Sequence, residues 1–256
     1  MLDYDREAAR YDATRGGDAR AGAAADAIET LLVLATGESS AAPVSVADVG
    51  CGTGIVTVRL TRPGRSVIGI DRSAGMAAAA AGRLPGRIML GNAACLPLAT
   101  GSADVVTMVW LLHLLNRADS AGALAEAGRV LSPGGLLITT VGKNDAVYGA
   151  ADDAAAVLRP VRARFDPGQT DSLDRVLEIG RRHGLDLVAQ TTFTGIGQGL
   201  SPRNWRTQLL RYRKGWAASA GPERLDALGA ALAAQPDQDR TRADPVYQLA
   251  ALRKAP

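Results

Sequence analysis

Aromatic side chains are scarce in this sequence, at 4% of 256 residues, and lysine is scarcer still, confined to Lys143, Lys214 and Lys254. Alanine, glycine and arginine dominate instead, which reads as a coding bias with little functional content. Cysteine occurs only at Cys51 and Cys95. Their spacing suits neither a zinc site nor a disulfide framework, so a stapled scaffold is excluded and a reducing compartment fits. No apolar run approaches the ~20 residues that span a bilayer. The longest, Val105 to Leu115, is interrupted by His113. The start, Met1-Leu-Asp-Tyr-Asp-Arg-Glu7, carries charge where a secretory signal needs a basic start and then an apolar run, so a soluble, cytoplasmic chain with no membrane partner is expected. A strong charge excess is also missing. The formal net charge of +3 gives no reason to expect a nucleic-acid or acidic-membrane partner.

What is present is a globular composition, 47% hydrophobic, without internal repeats, heptads or low-complexity linkers. From Ala8 to Thr36 the pattern is helical, and Gly37 to Pro43 reads as a surface loop. Short β-branched runs follow at Val44 to Val49, Ser66 to Ile70, Ile88 to Leu90, Val105 to Val109 and Leu136 to Val141. Helical stretches near Ile55 to Leu60, Ala74 to Arg83 and Ala121 to Leu131 separate most of them. This alternation predicts an α/β fold with a mainly parallel sheet covered on both faces. Beyond it, helices are expected over Ala151 to Arg164, Ser172 to Arg182, Pro202 to Trp216 and Pro222 to Ala234. Strands are expected at Leu185 to Phe193 and Val246 to Leu252, making seven in all. One domain over 1–256 is the economical reading, with a helical lid at 1–40, a binding core at 41–145 and a helical cap with the last strands at 146–256.

The strongest local signal is Val46-Ala-Asp-Val-Gly-Cys-Gly-Thr-Gly54, a strand ending in alternate glycines before a helical stretch. Glycine suits such a place because a sharp turn needs unusual backbone angles and a missing Cβ lets a ligand approach the main chain. The dinucleotide pattern G-x-G-x-x-G would need glycine at Ile55, and no Gly-Lys-Ser/Thr phosphate cradle follows Gly54. A purely structural tight turn is the alternative. The second strand ends in Asp71, where a carboxylate can accept both hydroxyls of a ribose, or simply begin the next helix.

In order along the chain, Asp48-Val-Gly-Cys-Gly-Thr-Gly54, Asp71, Gly91-Asn-Ala-Ala-Cys-Leu-Pro97 with Ser102-Ala-Asp104, and Arg129-Val-Leu-Ser-Pro-Gly-Gly-Leu136 resemble the class I S-adenosylmethionine-dependent methyltransferases. Tyr4-Asp, Tyr11-Asp and Arg15 are similar to the N-terminal lid of the ubiquinone-biosynthesis-type branch. The resemblance implies a Rossmann-like seven-stranded sheet, S-adenosyl-L-methionine as cofactor and S-adenosyl-L-homocysteine as product. It implies that Gly50, Gly52 and Gly54 pack beneath the cofactor, that Asp48 faces its methionine end and that Asp71 holds the ribose. Asn92 stands where the family has an aspartate facing the adenine amino group, with its amide oxygen still able to accept that bond. Ala93 offers its backbone N–H to the ring, and Tyr11, Cys51, Arg72, Met76 and Trp110 complete the implied cofactor shell.

The segment Trp110-Leu-Leu-His-Leu-Leu115 matches the family's Leu-His-His-Leu with only His113 kept. His113, at a near-neutral pKa, is the candidate general base and substrate contact, a structural role being the other reading. Tyr4, Tyr148, Trp205 and Tyr212 are the aromatic candidates for the substrate wall, with ordinary core packing as their alternative. The expected partner is a small-molecule acceptor, a secondary metabolite among the options, with a homodimer left open. DNA is disfavoured by the absence of Asn/Asp-Pro-Pro-Tyr and Pro-Cys motifs. RNA is disfavoured because Arg203, Trp205, Arg206 and Arg211 to Trp216 have no added RNA module beside them. No metal is required, since a sulfonium methyl needs chiefly alignment with its nucleophile and exclusion of water. Ring closure or decarboxylation on the same scaffold is the rival chemistry.

Overall fold

The β-branched runs form the middle of a seven-stranded sheet in the computed structural model, which describes residues 3–37, 44–149, 152–166, 168–211 and 215–256. The strands are β1 (Val44–Val49), β2 (Arg65–Asp71), β3 (Ile88–Leu90), β4 (Ala103–Met108), β5 (Leu131–Val141), β6 (Leu185–Thr194) and β7 (Val246–Lys254), in the order β3-β2-β1-β4-β5-β7-β6. Pairings among β1 to β5 are parallel, whereas β7 runs antiparallel to β5. The helices are α1 (Tyr4–Thr14), α2 (Gly17–Thr36), α3 (Ala74–Arg83), α4 (Arg117–Val130), α5 (Lys143–Gly149), α6 (Asp153–Phe165), α7 (Leu173–Arg182), α8 (Pro202–Arg211), α9 (Trp216–Ala220) and α10 (Pro222–Ala233); α1 to α4 and α7 share a compact unit with the sheet and flank it on both sides. Strand order reverses between β1 and β4. Connections leaving the carboxyl ends diverge at such a reversal and open a crevice there.

Several elements differ from their sequence-based expectations for local reasons. The first helical stretch begins at Tyr4 rather than Ala8 and is divided into α1 and α2 by Gly16 at φ 85°. Ile55 to Leu60 yields only a 3-10 turn at Thr57–Leu60, since a Val-Thr-Val run restricts side-chain rotamers in a helix. β5 begins at Leu131 rather than Leu136, with a register shift between Ala103 and Val105 on its neighbour. The stretch from Ala151 starts at the Asp152 cap, whose carboxylate accepts from the Ala155 N–H at 2.7 Å. Of the Pro202 to Trp216 stretch, α8 is described through Arg211 and Gly215 at φ 57° precedes α9, residues 212–214 lying outside the described residues. Most of the Gly37 to Pro43 loop lies outside the described residues.

By its contacts the chain divides into two compact units. The first joins Met1–Lys143 with Thr170–Phe193 and Tyr247–Pro256, and its core is the sheet interior, with Val49, Ile70, Val106, Met108, Leu124 and Leu137 buried. The second comprises Asn144–Gln169 and Thr194–Val246 and has its own core around Leu158, Trp205, Leu225 and Leu232. No helix among the described residues is long and apolar enough to cross a membrane.

Candidate functional site

The glycine turn leaves β1 at the strand-order reversal, with Gly50, Gly52 and Gly54 at φ 73°, 56° and 75°. These angles exclude ordinary side chains, so the sequence can close this turn only with glycine. The three glycines differ in what surrounds them. A Cβ on Gly50 would meet the Leu111 side chain at 2.8 Å, and one on Gly54 would meet Ala80 at 3.0 Å. Both are therefore demanded by the protein's own packing. A Cβ on Gly52 would meet nothing within 4 Å, so of these three glycines it leaves the main chain of the turn open to a ligand.

Asp71, at the end of β2, accepts from the Gly52 N–H at 2.8 Å through Oδ2 and from the Ser73 N–H at 2.9 Å through Oδ1. The carboxylate is fixed against the turn with one lone pair per oxygen still available. Asp48 is buried, and its two oxygens accept from the Thr57 and Thr107 hydroxyls at 2.5 and 2.6 Å. Burial raises its pKa although the hydroxyls pull the other way. Its carboxylate thus ties the turn to β4. Cys51 is buried beside Gly69, where a Cβ would meet its Sγ at 2.9 Å, and burial with the nearby Asp48 and Asp71 pushes its thiol pKa up. Met76 is fully buried on α3, and Arg72 is exposed. Asn92 turns its amide oxygen onto the Ala94 N–H at 3.0 Å, and Ala93 is buried beside it. Their loop is clasped by Arg129, which donates to the carbonyls of Leu96 and Leu98.

Helix α1 lies against α3 through Asp5 and Asp12, which the sequence marks only as part of the two Tyr-Asp pairs. Asp5 Oδ1 accepts from the Ser73 hydroxyl at 2.6 Å and the Gly75 N–H at 2.9 Å. Asp12 accepts from the Thr53 hydroxyl at 2.6 Å and from Arg83 at 2.8 Å. The repeated Tyr-Asp pair was the available signal, since a spacing of seven puts both pairs on one helix face. Tyr4 and Tyr11 lie 6.2 Å apart, and burial, followed by Tyr11, raises the Tyr4 hydroxyl to about 12.

Trp110, just past β4, has φ 55°, a conformation that costs a residue with a Cβ roughly 1–2 kcal/mol. Its N–H donates to the Thr140 hydroxyl of β5 at 2.8 Å. Its ring is edge-on to Phe193 and Tyr247 at 5.7 and 5.9 Å, and the Arg20 guanidinium stacks over it at 3.4 Å. The next turn, fixed by a 2.8 Å bond from the Thr170 hydroxyl to the Leu112 carbonyl, carries His113. Burial, then Lys143 and Arg20, holds the His113 imidazole well below its usual range. This corrects the near-neutral value expected from the sequence: the ring is neutral at pH 7 and a weak base. Arg20 and Lys143 were missed. A rare lysine two residues past a sheet strand was the signal for Lys143, and nothing marked Arg20, the single arginine of α2.

Tyr148 and Trp205 belong to the second unit. There Tyr148 packs on Trp205 at 5.2 Å and accepts a hydrogen bond from the Trp216 indole at 3.2 Å, and Trp205 is buried in that unit's core. Tyr212 lies outside the described residues.

Residues 47–139 match the family model described as a methyltransferase domain. The chain is 38% identical over 181 residues to an uncharacterized methyltransferase of Mycobacterium tuberculosis, covering 66% of this chain and 72% of that one. It is 30% identical over 145 residues to one from Geobacillus kaustophilus, covering 56% and 65%. It is 39% identical over 93 residues to the demethylmenaquinone methyltransferase of Mycolicibacterium paratuberculosis, covering 36% and 39%. The chain thus spans less than two thirds of the length of these last two. Among solved structures it resembles a methyltransferase of Bacillus halodurans, with a TM-score of 0.57 at 17% identity over 90% of this chain and 99% of that one. It also resembles the [4+2]-cyclase SpnF, with 0.51 at 22% over 90% and 80%. Those two likenesses are of fold alone. The methyltransferase-domain match falls on the glycine turn and the strand-order reversal, and the mycobacterial relative is matched over most of its length; the chain belongs to the class I S-adenosylmethionine-dependent methyltransferase family.

Proposed function

We propose that this chain moves the methyl group of S-adenosylmethionine to an oxygen, nitrogen or carbon nucleophile of a small molecule. The observation that carries the reading is Gly52: a left-handed glycine with open space where its Cβ would be, its N–H held by the Asp71 carboxylate. A nucleoside fits such a place, because the bare main chain admits a flat ligand and the remaining lone pairs of Asp71 accept its ribose hydroxyls. The bound sulfonium supplies an already activated methyl group. Asn92 and Ala93 serve the adenine edge, with Cys51, Arg72 and Met76 around the nucleoside. Asp48 acts from beneath by bracing the turn. Tyr4, Tyr11 and Trp110 exclude water, which sharpens alignment of the acceptor. His113, neutral and half-buried, orients the acceptor through a hydrogen bond.

Titration calorimetry with S-adenosylhomocysteine tests this. Wild-type protein binds it, and Asp71→Ala loses about 30-fold or more in affinity, as expected when bonds to a charged acceptor worth ~1.5–3 kcal/mol disappear. Unchanged affinity in a folded variant removes the assignment. Product formed without S-adenosylhomocysteine replaces methyl transfer with ring closure or decarboxylation.

A further inference from the structure

The first unit buries the Arg20 guanidinium beside a second cation, Lys143. Arg20 is 6% exposed, its Nη1 donates to the Arg15 carbonyl at 2.7 Å, and its Nε finds no partner among the described residues. A guanidinium stays protonated even in such a place. No carboxylate among the described residues pairs with it, although a buried charge ordinarily has a counter-charge. Two more buried nitrogens nearby lack partners among the described residues, the Trp110 indole Nε1 and His113 Nδ1. Because the guanidinium lies 3.4 Å over the indole, its donors and the indole donor share one patch. Lys143 adds a second cation close enough to disfavour protonation of His113, and burial, then Arg20, lowers the lysine itself to about 8. Asp171 is the carboxylate beside this group, and its Oδ2 accepts from the Lys143 backbone N–H at 2.8 Å.

We infer that the acceptor substrate is a small planar organic acid, whose anionic oxygen is received by Arg20 and the Trp110 indole N–H with Lys143 as second charge. This assignment of substrate class rests on the proposed methyl transfer. The indole, backed edge-on by Phe193 and Tyr247, gives a flat apolar wall beside the charge, the pairing that an aromatic carboxylate or phenolate requires. Arg20 and Lys143 fix the acceptor's acid end and leave its nucleophile to be aligned.

The probes are 2-naphthoate and its neutral counterpart 2-naphthamide, titrated into protein with and without saturating S-adenosylhomocysteine. The acid is expected to bind about tenfold or more tightly than the amide, the difference expected of a charge-assisted contact. Arg20→Gln and Lys143→Met each lose most of that preference, and Arg20→Lys, which keeps the charge and guards against a folding defect, retains part of it. Equal binding of acid and amide, or no binding of either, overturns the inference. The competing source of an anion is the carboxylate of the cofactor itself. If Arg20→Gln instead weakens S-adenosylhomocysteine about tenfold while leaving 5′-methylthioadenosine, which lacks that carboxylate, untouched, Arg20 serves the cofactor and the inference fails. Failure of wild-type protein to bind S-adenosylhomocysteine would sink the methyl-transfer reading and with it the acceptor role, whereas the acid preference is read separately in the cofactor-free titration.

Discussion

At the scale of single residues, Lys143 shows how a site can work against the stability of its own fold. Burial first, then Arg20 and Arg15, brings its pKa to about 8 despite Asp171, below the ~10.4 of an unfolded chain. The unfolded state therefore binds more protons between about pH 8 and 10.4, so stability from this group rises with pH across that window and its penalty is full below it. Lys143→Met is expected to be more stable than wild type at pH 7, by on the order of 1–3 kcal/mol after solvent screening. The gap should close near pH 10. Urea titrations of both proteins at pH 7 and 9.5 measure it, and a gap independent of pH would show that the lysine carries no such penalty. Placing charge where it destabilises the fold is a familiar cost of binding function. Asp71 and the glycines of the turn were legible in the amino-acid order, because a strand-end carboxylate and left-handed turn angles favour those residue types where they stand. Arg20 carried no such mark, since an arginine on a helix becomes a site residue only through what the fold sets above it.

At the scale of elements, α1 is held by its aspartates more than by apolar burial, Glu7 being its one buried residue. Asp12 joins Thr53, within the glycine turn, to Arg83 at the end of α3. Asp12→Ala leaves the buried Thr53 hydroxyl without its acceptor, a loss of roughly 1–3 kcal/mol borne by the α1 contact. Faster amide exchange in α1, with β1 and β4 unchanged, is the expected result by hydrogen-exchange mass spectrometry. Affinity for S-adenosylhomocysteine should fall alongside. Exchange that rises equally throughout the sheet would mean that α1 is part of the global fold and no separate cover. Element type was legible wherever periodicity was strong: α3 spans Ala74–Arg83 as the pattern requires. It was misread where local chemistry competed, as in the 3-10 turn after Gly54, whose β-branched residues and tie from Thr57 to Asp48 forestall a longer helix.

At the scale of the molecule, the two units carry separate cores, and the proposed nucleoside grip lies wholly in the first. Trp205→Ala opens the second core and is expected to cost about 3–5 kcal/mol of stability there, lowering the thermal midpoint by circular dichroism. Affinity for S-adenosylhomocysteine should survive at temperatures below the shifted transition. Its loss in step with the melting of the second core would tie that core to the grip.

The amino-acid order alone determined the parallel core, the glycine turn and the acidic end of β2, because these depend on backbone angles and on neighbours within one strand-turn-helix unit. Only tertiary structure decided which glycine faces open space, which carboxylate is spent on threonines, and that Trp110, His113, Lys143 and Arg20 meet. Arg20, Lys143 and the turn holding Trp110 and His113 lie far apart in sequence, and the parallel pairing of β4 with β5 brings that turn beside Lys143, a long-range contact that no local pattern encodes.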